Sequence, residues 1–437
     1  MHENTGTTPQ RRERIDTLDI LRGFAILGIL FMNIPAMGNT GSHFKDPRLL
    51  GWTFADRTVW STLEIFLEGT QRGLLELLFG ATALILVGGA IKPTDPIGPA
   101  DIYYRRTIWL ILFGLIHGTL LLWPGEVLFN YGIAGLFLFP LRRLKARTLA
   151  TIGALGLLLL GAISAPSYLD DVRLQKSAAA AAEQRAQGMP ITAAQRTALK
   201  EWDEAHRTGT SPKIMKAERE ARRGGYGANL PYLFRIWKHE NASLTLYDYL
   251  AESILTMMIG MALFKWGVLQ GERSRSFYLR LMIAGYGIGL PLNLLETQSR
   301  IAQGFLPPDW TDITYQIGRM AMTFGHVGLF IFLSMTTIGA VTLKPLKATG
   351  RMALSTYVTQ SIVTMFMLFP GFGFGLWGRF GWAELASIAL AIVAAQIVVA
   401  NLWMQRFEMG PLEWLWRWLS YGQKPAMRRR ALVSAPA

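Results

Sequence analysis

A few ionisable side chains sit inside stretches otherwise built from Leu, Ile, Val, Phe and Ala. They are His117, Glu126, Glu252, Glu296, Arg300, Arg319 and His326. Glu64, Glu68, Arg72 and Glu76 recur every four residues nearby, a spacing that predicts one shared helical face. Charge placed in hydrocarbon is expensive, so each of these is a candidate for function. His117 lies in WLILFGLIHGTLLLWPGEV, and an imidazole suits proton transfer near neutral pH. A hydrogen bond to a neighbouring helix is its bland alternative. His117 precedes Pro124 by seven residues, about 10 Å of helix, so Glu126 could orient it only through bending or an intermediary. His43, in the first outer loop, is the competing base. As a set, these groups predict either a water-filled cavity opening outward or buried ion pairs that hold helices together; the cavity is favoured.

The elements that must position them are transmembrane helices. Of 437 residues, 51% are hydrophobic and 17% charged, too apolar for an ordinary soluble domain. About 20 apolar residues span a bilayer. Ten stretches qualify: roughly 18–37, 73–91, 107–124, 126–141, 148–165, 249–269, 278–297, 316–342, 353–370 and 384–404. The basic start and the first apolar run resemble a signal peptide. Asp19 and Arg22 interrupt that run and no A-x-A-like site follows, so it reads as the first span.

Lys+Arg 44 against Asp+Glu 30 gives +14. The excess falls on alternate loops: Lys92, Arg105 and Arg106; Arg142, Arg143, Lys145 and Arg147; Arg273, Arg275 and Arg280; Lys344, Lys347 and Arg351; then the tail. That pattern places both termini in the cytoplasm and needs no nucleic-acid partner. The fold expected is all-α: an N-terminal tail (1–17), a first bundle (18–165), an outer helical insertion (166–245), a second bundle (246–405) and an amphipathic tail (406–437). The insertion is expected to be a lid or a solvated spacer. Trp414, Trp416 and Trp418 read as an interfacial anchor.

Several chemistries are absent. There is no cysteine, no P-loop, no H-E-x-x-H and no G-x-S-x-G. Histidines are few and far from carboxylates, so no metal is expected. Gly285, Gly287, Gly289 and Pro291 could break the seventh span to expose backbone to a ligand, or simply pack closely.

Residues 14–33 (RIDTLDILRGFAILGILFMN), 105–135, 350–362 (GRMALSTYVTQSI) and 407–422 (FEMGPLEWLWRWLSYG) resemble the YeiB family of bacterial inner-membrane proteins. That family resembles the transmembrane acyltransferases, including heparan-α-glucosaminide N-acetyltransferase. The resemblance implies transfer of an acyl group, acetyl first, from cytoplasmic acyl-CoA to an acceptor across the membrane. In one type of those enzymes the span opening LDxLRG ends in a catalytic histidine, and here that position is Asn33. Asparagine is no general base, although it could donate to an oxyanion. The glucosaminide enzyme resembles this chain in having asparagine there and a histidine in the following outer loop, to which His43 could correspond. His117 belongs to the motif shared with YeiB-like chains and ranks narrowly above it.

The implied donor is acetyl-CoA or another acyl-CoA, with Arg22, Arg105, Arg106 and Arg351 placed to hold its phosphates; ordinary positive-inside anchoring is the alternative for each. The acceptor could be a sugar, a lipid or a small hydroxyl or amine compound. Membrane lipids are the other partners, and homo-oligomerisation is left open. The rival functions are a transporter or channel for a small solute or lipid, and a non-catalytic sensor.

Overall fold

The structure, a computed structural model, describes residues 15–87, 98–207, 211–242 and 245–429. Arg11, Arg12, Arg14 and Lys92 lie outside them. Among the described residues there is no strand beyond one bridge between Phe407 and Arg428. The chain is an all-α, multi-pass membrane bundle.

The first half comprises α1 (Asp16–Gly38), α2 (Phe54–Phe66), α3 (Thr70–Val87), α4 (Gly98–Thr119), α5 (Leu128–Leu141) and α6 (Ala146–Ile163). The insertion forms α7 (Ala165–Ala186), α8 (Ala193–Arg207), α9 (Pro212–Arg223) and α10 (Tyr226–Ala242). The second half comprises α11 (Thr245–Lys265), α12 (Arg275–Ala302), α13 (Thr311–Ser334), α14 (Thr337–Thr342), α15 (Lys344–Arg351), α16 (Ala353–Ile362), α17 (Trp382–Arg406) and α18 (Pro411–Tyr421). A π-helical turn, Val363–Leu368, extends α16. Among the described residues each of the ten apolar stretches is largely helical; residues 88–91 of the second lie outside them. Six helices among the described residues are long and apolar enough to cross a bilayer, α6 running on into α7. In α1, 67% of the apolar window is buried against 22% in α17, so α1 is central and α17 faces lipid.

Two expectations are corrected. Glu64, Glu68, Arg72 and Glu76 do not share one helix. The chain turns at Leu67–Gly69, where Gly69 takes φ +66°. A Cβ there would lie 2.4 Å from the Tyr315 hydroxyl, so the turn is packed tight against α13. The long eighth stretch is also two helices, because Thr336 starts α14 by accepting from the Gly339 N–H (3.0 Å).

Glycine sets the helix spacings. α12 runs unbroken through Gly285, Gly289 and Pro291. A Cβ at Gly285 would meet the Gly325 nitrogen at 2.4 Å and one at Gly289 the Met322 side chain at 2.7 Å, so these two glycines serve close contact with α13. At the basic end, a Cβ at Gly350 would lie 1.8 Å from the Asp19 carbonyl, and one at Gly23 would lie 2.1 Å from that of Leu346. These contacts seat α15 on α1.

The insertion divides into two parts. α9 and α10 dock on the bundle. Arg222 is buried and donates to the Met37 carbonyl, while Glu218 accepts from the Thr40 hydroxyl and from the Gly41 N–H (3.0 Å). Tyr226 donates to the Leu120 carbonyl (2.9 Å). The α7–α8 hairpin packs on itself and carries mostly exposed residues. The tail helix α18 is more than an anchor. Trp416 donates to the Arg106 carbonyl (2.9 Å), and Glu413 accepts from the Leu354 N–H (2.6 Å) at the start of α16.

The glycine contacts make a prediction. Gly350→Val forces α15 off α1 and destabilises the protein by about 2 kcal/mol or more. Gly287→Ala, in open space on the same kind of helix, costs nothing and is expected to favour the helix slightly. Thermal unfolding in detergent micelles compares the two, and equal melting temperatures would contradict this account of the packing.

Candidate functional site

The ionisable residues of the apolar spans assemble into one buried network and three cavities. Arg319 of α13, 1% exposed, is held by four neighbours. Nη1 lies 3.0 Å from Glu76 and 3.3 Å from Glu252, Nη2 donates to Thr256 (2.8 Å), and Nε donates to Gln316 (3.2 Å). Arg72 reaches Glu252 at 2.6 Å and donates to the Tyr315 hydroxyl at 3.1 Å. Ser253 donates to Glu76 (3.0 Å), and Gln316 donates to Glu252 (2.6 Å). Two arginines therefore balance two glutamates across α3, α11 and α13. Ion pairing and cavities, weighed as alternatives from the sequence, coexist.

The largest cavity, about 690 Å³, lies under α9 and α10. It is lined by Asn33 of α1, Gln71 and Arg72 of α3, Trp123, Glu126, Asn130 and Tyr131 around the α4–α5 turn, and Glu218 and Arg222 of the roof. Beside it is an acidic cavity of about 350 Å³, lined by Glu64, Glu68, Glu296, Asp309 and Asp312 with Arg300, His43, Trp60 and Trp382. Arg300 pairs with Glu64 at 2.8 Å, and Thr314 donates to Glu296. Glu68 and Tyr315 line both cavities. At the opposite, basic end is a third cavity of about 300 Å³. Arg22, Arg106, Arg351 and Arg417 surround its mouth, and Leu75, Leu78, Phe79, Leu110 and Leu354 line its depth. Val127 and Tyr131 line both this cavity and the largest one, so a neck separates them there.

The sequence candidates distribute unevenly. Arg22, Arg106 and Arg351 reach the basic cavity. Arg22 is paired with Asp19 (3.0 Å), Arg106 stacks 4.0 Å over the Trp416 ring, and Arg351 donates to the Glu408 carbonyl (2.7 Å). Arg105 points away and pairs with Asp101 at 2.9 Å on the surface. Arg417 takes a place at that mouth that the sequence did not assign.

His117 is 1% exposed and lines none of the three cavities. Nε2 lies 2.7 Å from the Ser361 hydroxyl, and the ring stands edge-on to Tyr357 at 4.9 Å. It is not paired with Glu126. The Glu126 carboxylate accepts from the Leu128 N–H (2.7 Å) and the Phe129 N–H (3.1 Å), capping α5. His43, by contrast, lines the acidic cavity. Its Nδ1 is 2.7 Å from the Thr40 carbonyl, which can only accept. Nδ1 therefore carries the proton and Nε2 keeps a lone pair. Burial lowers the His43 pKa to about 4. His326 is pinned at both nitrogens, by the Tyr286 hydroxyl (3.0 Å) and the Phe66 carbonyl (3.2 Å). Among the described residues no cluster of His, Asp and Glu is arranged to hold a metal.

Gln71, Tyr131, Tyr357, Glu218 and Arg222 were not singled out from the sequence. Gln71 and Tyr357 are uncharged residues in apolar runs, and Glu218 and Arg222 look like an ordinary solvated i,i+4 pair.

Three relatives match nearly the whole chain. It is 29% identical to the uncharacterized protein YxaH of Bacillus subtilis, over 94% of each chain. It is 28% identical to the uncharacterized protein YeiB of Escherichia coli, over 93% of this chain and 96% of the relative. It is 25% identical to an uncharacterized 39.9 kDa protein from the amylase 3′ region of Bacillus acidopullulyticus, over 94% and 95%. The family described as "Protein of unknown function (DUF418)" matches residues 263–423.

The network yields a prediction with an internal control. Arg319→Met strands Glu76 and Glu252 against Arg72 alone and costs about 3–5 kcal/mol. Adding Glu76→Gln leaves Arg72 balanced by Glu252 and recovers part of that loss. Unfolding of both variants in micelles measures the coupling, and simple additivity would refute it.

Proposed function

We propose that the chain is a YeiB-family membrane protein and that it transfers an acyl group across the membrane from an acyl-CoA donor. The single observation that carries this is the pair of cavities meeting at Val127 and Tyr131. One is lined by arginines and by leucines; the other, the large cavity, shares Glu68 and Tyr315 with the acidic cavity that His43 lines. Arginines at the basic mouth suit the donor's phosphates. The apolar depth suits its thioester end. The acidic and aromatic cavity suits a polar acceptor, a sugar or an amine. The basic mouth is assigned to the cytoplasm by its charge.

In the proposed reaction the acceptor's hydroxyl or amine attacks the thioester carbonyl carbon. His43, through Nε2, takes the acceptor's proton as the new C–O or C–N bond forms. The tetrahedral intermediate collapses, the C–S bond breaks, and the CoA thiolate leaves and is protonated by the histidinium. Asn33, on the wall of the large cavity, donates to the oxyanion. His43 is preferred to His117 because it lines a cavity and has an identifiable lone pair. His117, bound to Ser361 behind Tyr357, supports the neck.

The test incubates purified protein in liposomes with labelled acetyl-CoA and candidate amine and sugar acceptors. Thioester consumption above background is expected, with His43→Ala lowering it at least about 100-fold and His117→Ala sparing most of it. No CoA-dependent turnover, with solute flux instead, would favour transport. The pH dependence follows from burial of His43. The folded protein leaves this ring neutral down to about pH 4, whereas the unfolded chain binds the proton near 6.5. Stability therefore falls as pH drops from about 6.5 towards 4 and levels off below that. The acid limb of the transfer rate is expected near pH 4, and a limb near 6.5 would remove His43 from the role.

A further inference from the structure

Gln71 is 1% exposed, and among the described residues neither its Oε1 nor its Nε2 has a hydrogen-bond partner. A buried carboxamide left unsatisfied is costly to the fold. It lines the large cavity. Its position along the bundle is fixed by α1, because a Cβ at Gly28 would lie 2.6 Å from the Gln71 amide carbon. Below Gly28, Arg22 and Ile26 face the basic cavity; above it, Ile29 and Asn33 face the large one. Tyr131, which lines both, donates to the carbonyl of the adjacent Arg72 (3.3 Å). Gln71 therefore stands at the neck.

We propose that Gln71 is the positioning residue for a linear, amide-bearing chain passing through this neck, the pantetheine arm of the acyl-CoA donor. This rests on the acyl-transfer function proposed above. The chemistry matches group by group. A side-chain carboxamide with both donor and acceptor vacant can donate to the C=O of one of the arm's two trans amides and accept from the N–H of the other. Phosphate oxygens accept and leave the carboxamide oxygen unpaired, and the leucines and Phe79 of the basic cavity give a sugar's other hydroxyls no partner. The spacing also fits. Gly28 is six residues from Arg22, about 9 Å along the helix, and Asn33 is five residues beyond, about 8 Å further. Phosphates held at the arginine mouth would put an amide of the arm at Gln71 and leave the thioester beyond the neck, on the Asn33 side.

The test uses the full-length protein in micelles, with Gln71→Leu as an apolar variant of similar size. Two probes are titrated: CoA, and 3′-phosphoadenosine 5′-diphosphate, which keeps the phosphates and lacks the arm. In the wild type both bind. In Gln71→Leu the CoA affinity is expected to fall roughly ten- to hundredfold, as expected for two lost hydrogen bonds, while the nucleotide affinity stays within about twofold. Its melting temperature should not drop, because an unsatisfied polar group has been removed. Unchanged CoA affinity overturns the assignment to Gln71 and leaves the acyl-transfer function standing. Equal loss for both probes, or a lower melting temperature, marks Gln71 as structural and also overturns it. If neither probe binds the wild type, the acyl-CoA function itself fails and this inference with it.

Discussion

Arg319 is the constraint around which the rest of the bundle is arranged. A guanidinium with a side chain closed to solvent, in the middle of apolar helices, is tolerated only if its donors are all engaged. Glu76, Glu252, Thr256 and Gln316 do that, from three helices. Because Glu76 comes from α3, Glu252 and Thr256 from α11 and Gln316 from α13 itself, the charge fixes the mutual rotation of the three helices at one level of the membrane. The surrounding glycines make this possible. A Cβ at Gly80 would lie 2.0 Å from the Met257 carbonyl, and one at Gly260 would lie 2.2 Å from that of Leu77. Such close backbones bring Glu76 and Ser253 within reach; larger residues would hold the carboxylate away from the arginine.

The same constraint shapes the cavities. Arg72 and Glu252 face the large cavity while serving the network, and Arg319 also reaches the acidic one. The walls of both are therefore rigid and electrically balanced, so the remaining carboxylates around Arg300 set the polarity of the acidic cavity. At the other end the balance runs the opposite way. Asp19 and Glu413 stand among four arginines, and Glu413 is already committed to the start of α16. A bundle with a basic cavity at one end and an acidic one at the other is polarised along its length, as the proposed transfer between unlike molecules would need.

Much of this was legible in the sequence and some of it was not, for identifiable reasons. Helix location follows from hydropathy, so among the described residues the apolar stretches are largely helical. Charged residues in apolar runs stand out, so Glu76, Glu252 and Arg319 were named as candidates. Their pairing was not legible, because Arg72, Glu252 and Arg319 are far apart in sequence and any could have met another partner. His117 drew attention as a lone imidazole, but its partner Ser361 lies 244 residues away and nothing local announces it. The turn at Gly69 was hidden because a four-residue charge spacing looks helical whether or not the helix continues. Gln71 gave no signal, since a glutamine at the edge of an apolar span is ordinary until its amide is found buried and unpaired.

The insertion completes the site rather than decorating it. α9 sits over the end of α1 through Glu218 and Arg222, two side chains that would be left charged and buried if one contact were removed alone. The Gly371 N–H also donates to the Arg222 carbonyl (3.1 Å), joining the roof to the turn that follows α16. The roof is thereby tied to both ends of the structure that bounds the large cavity: α1, which carries Asn33, and the α16 extension, which carries Met365. Displacing α9 would expose those polar contacts to competition from water, which weakens each of them. The α7–α8 hairpin packs mainly on itself. The polar roof, not the length of the insertion, is therefore what closes the large cavity on its outer side.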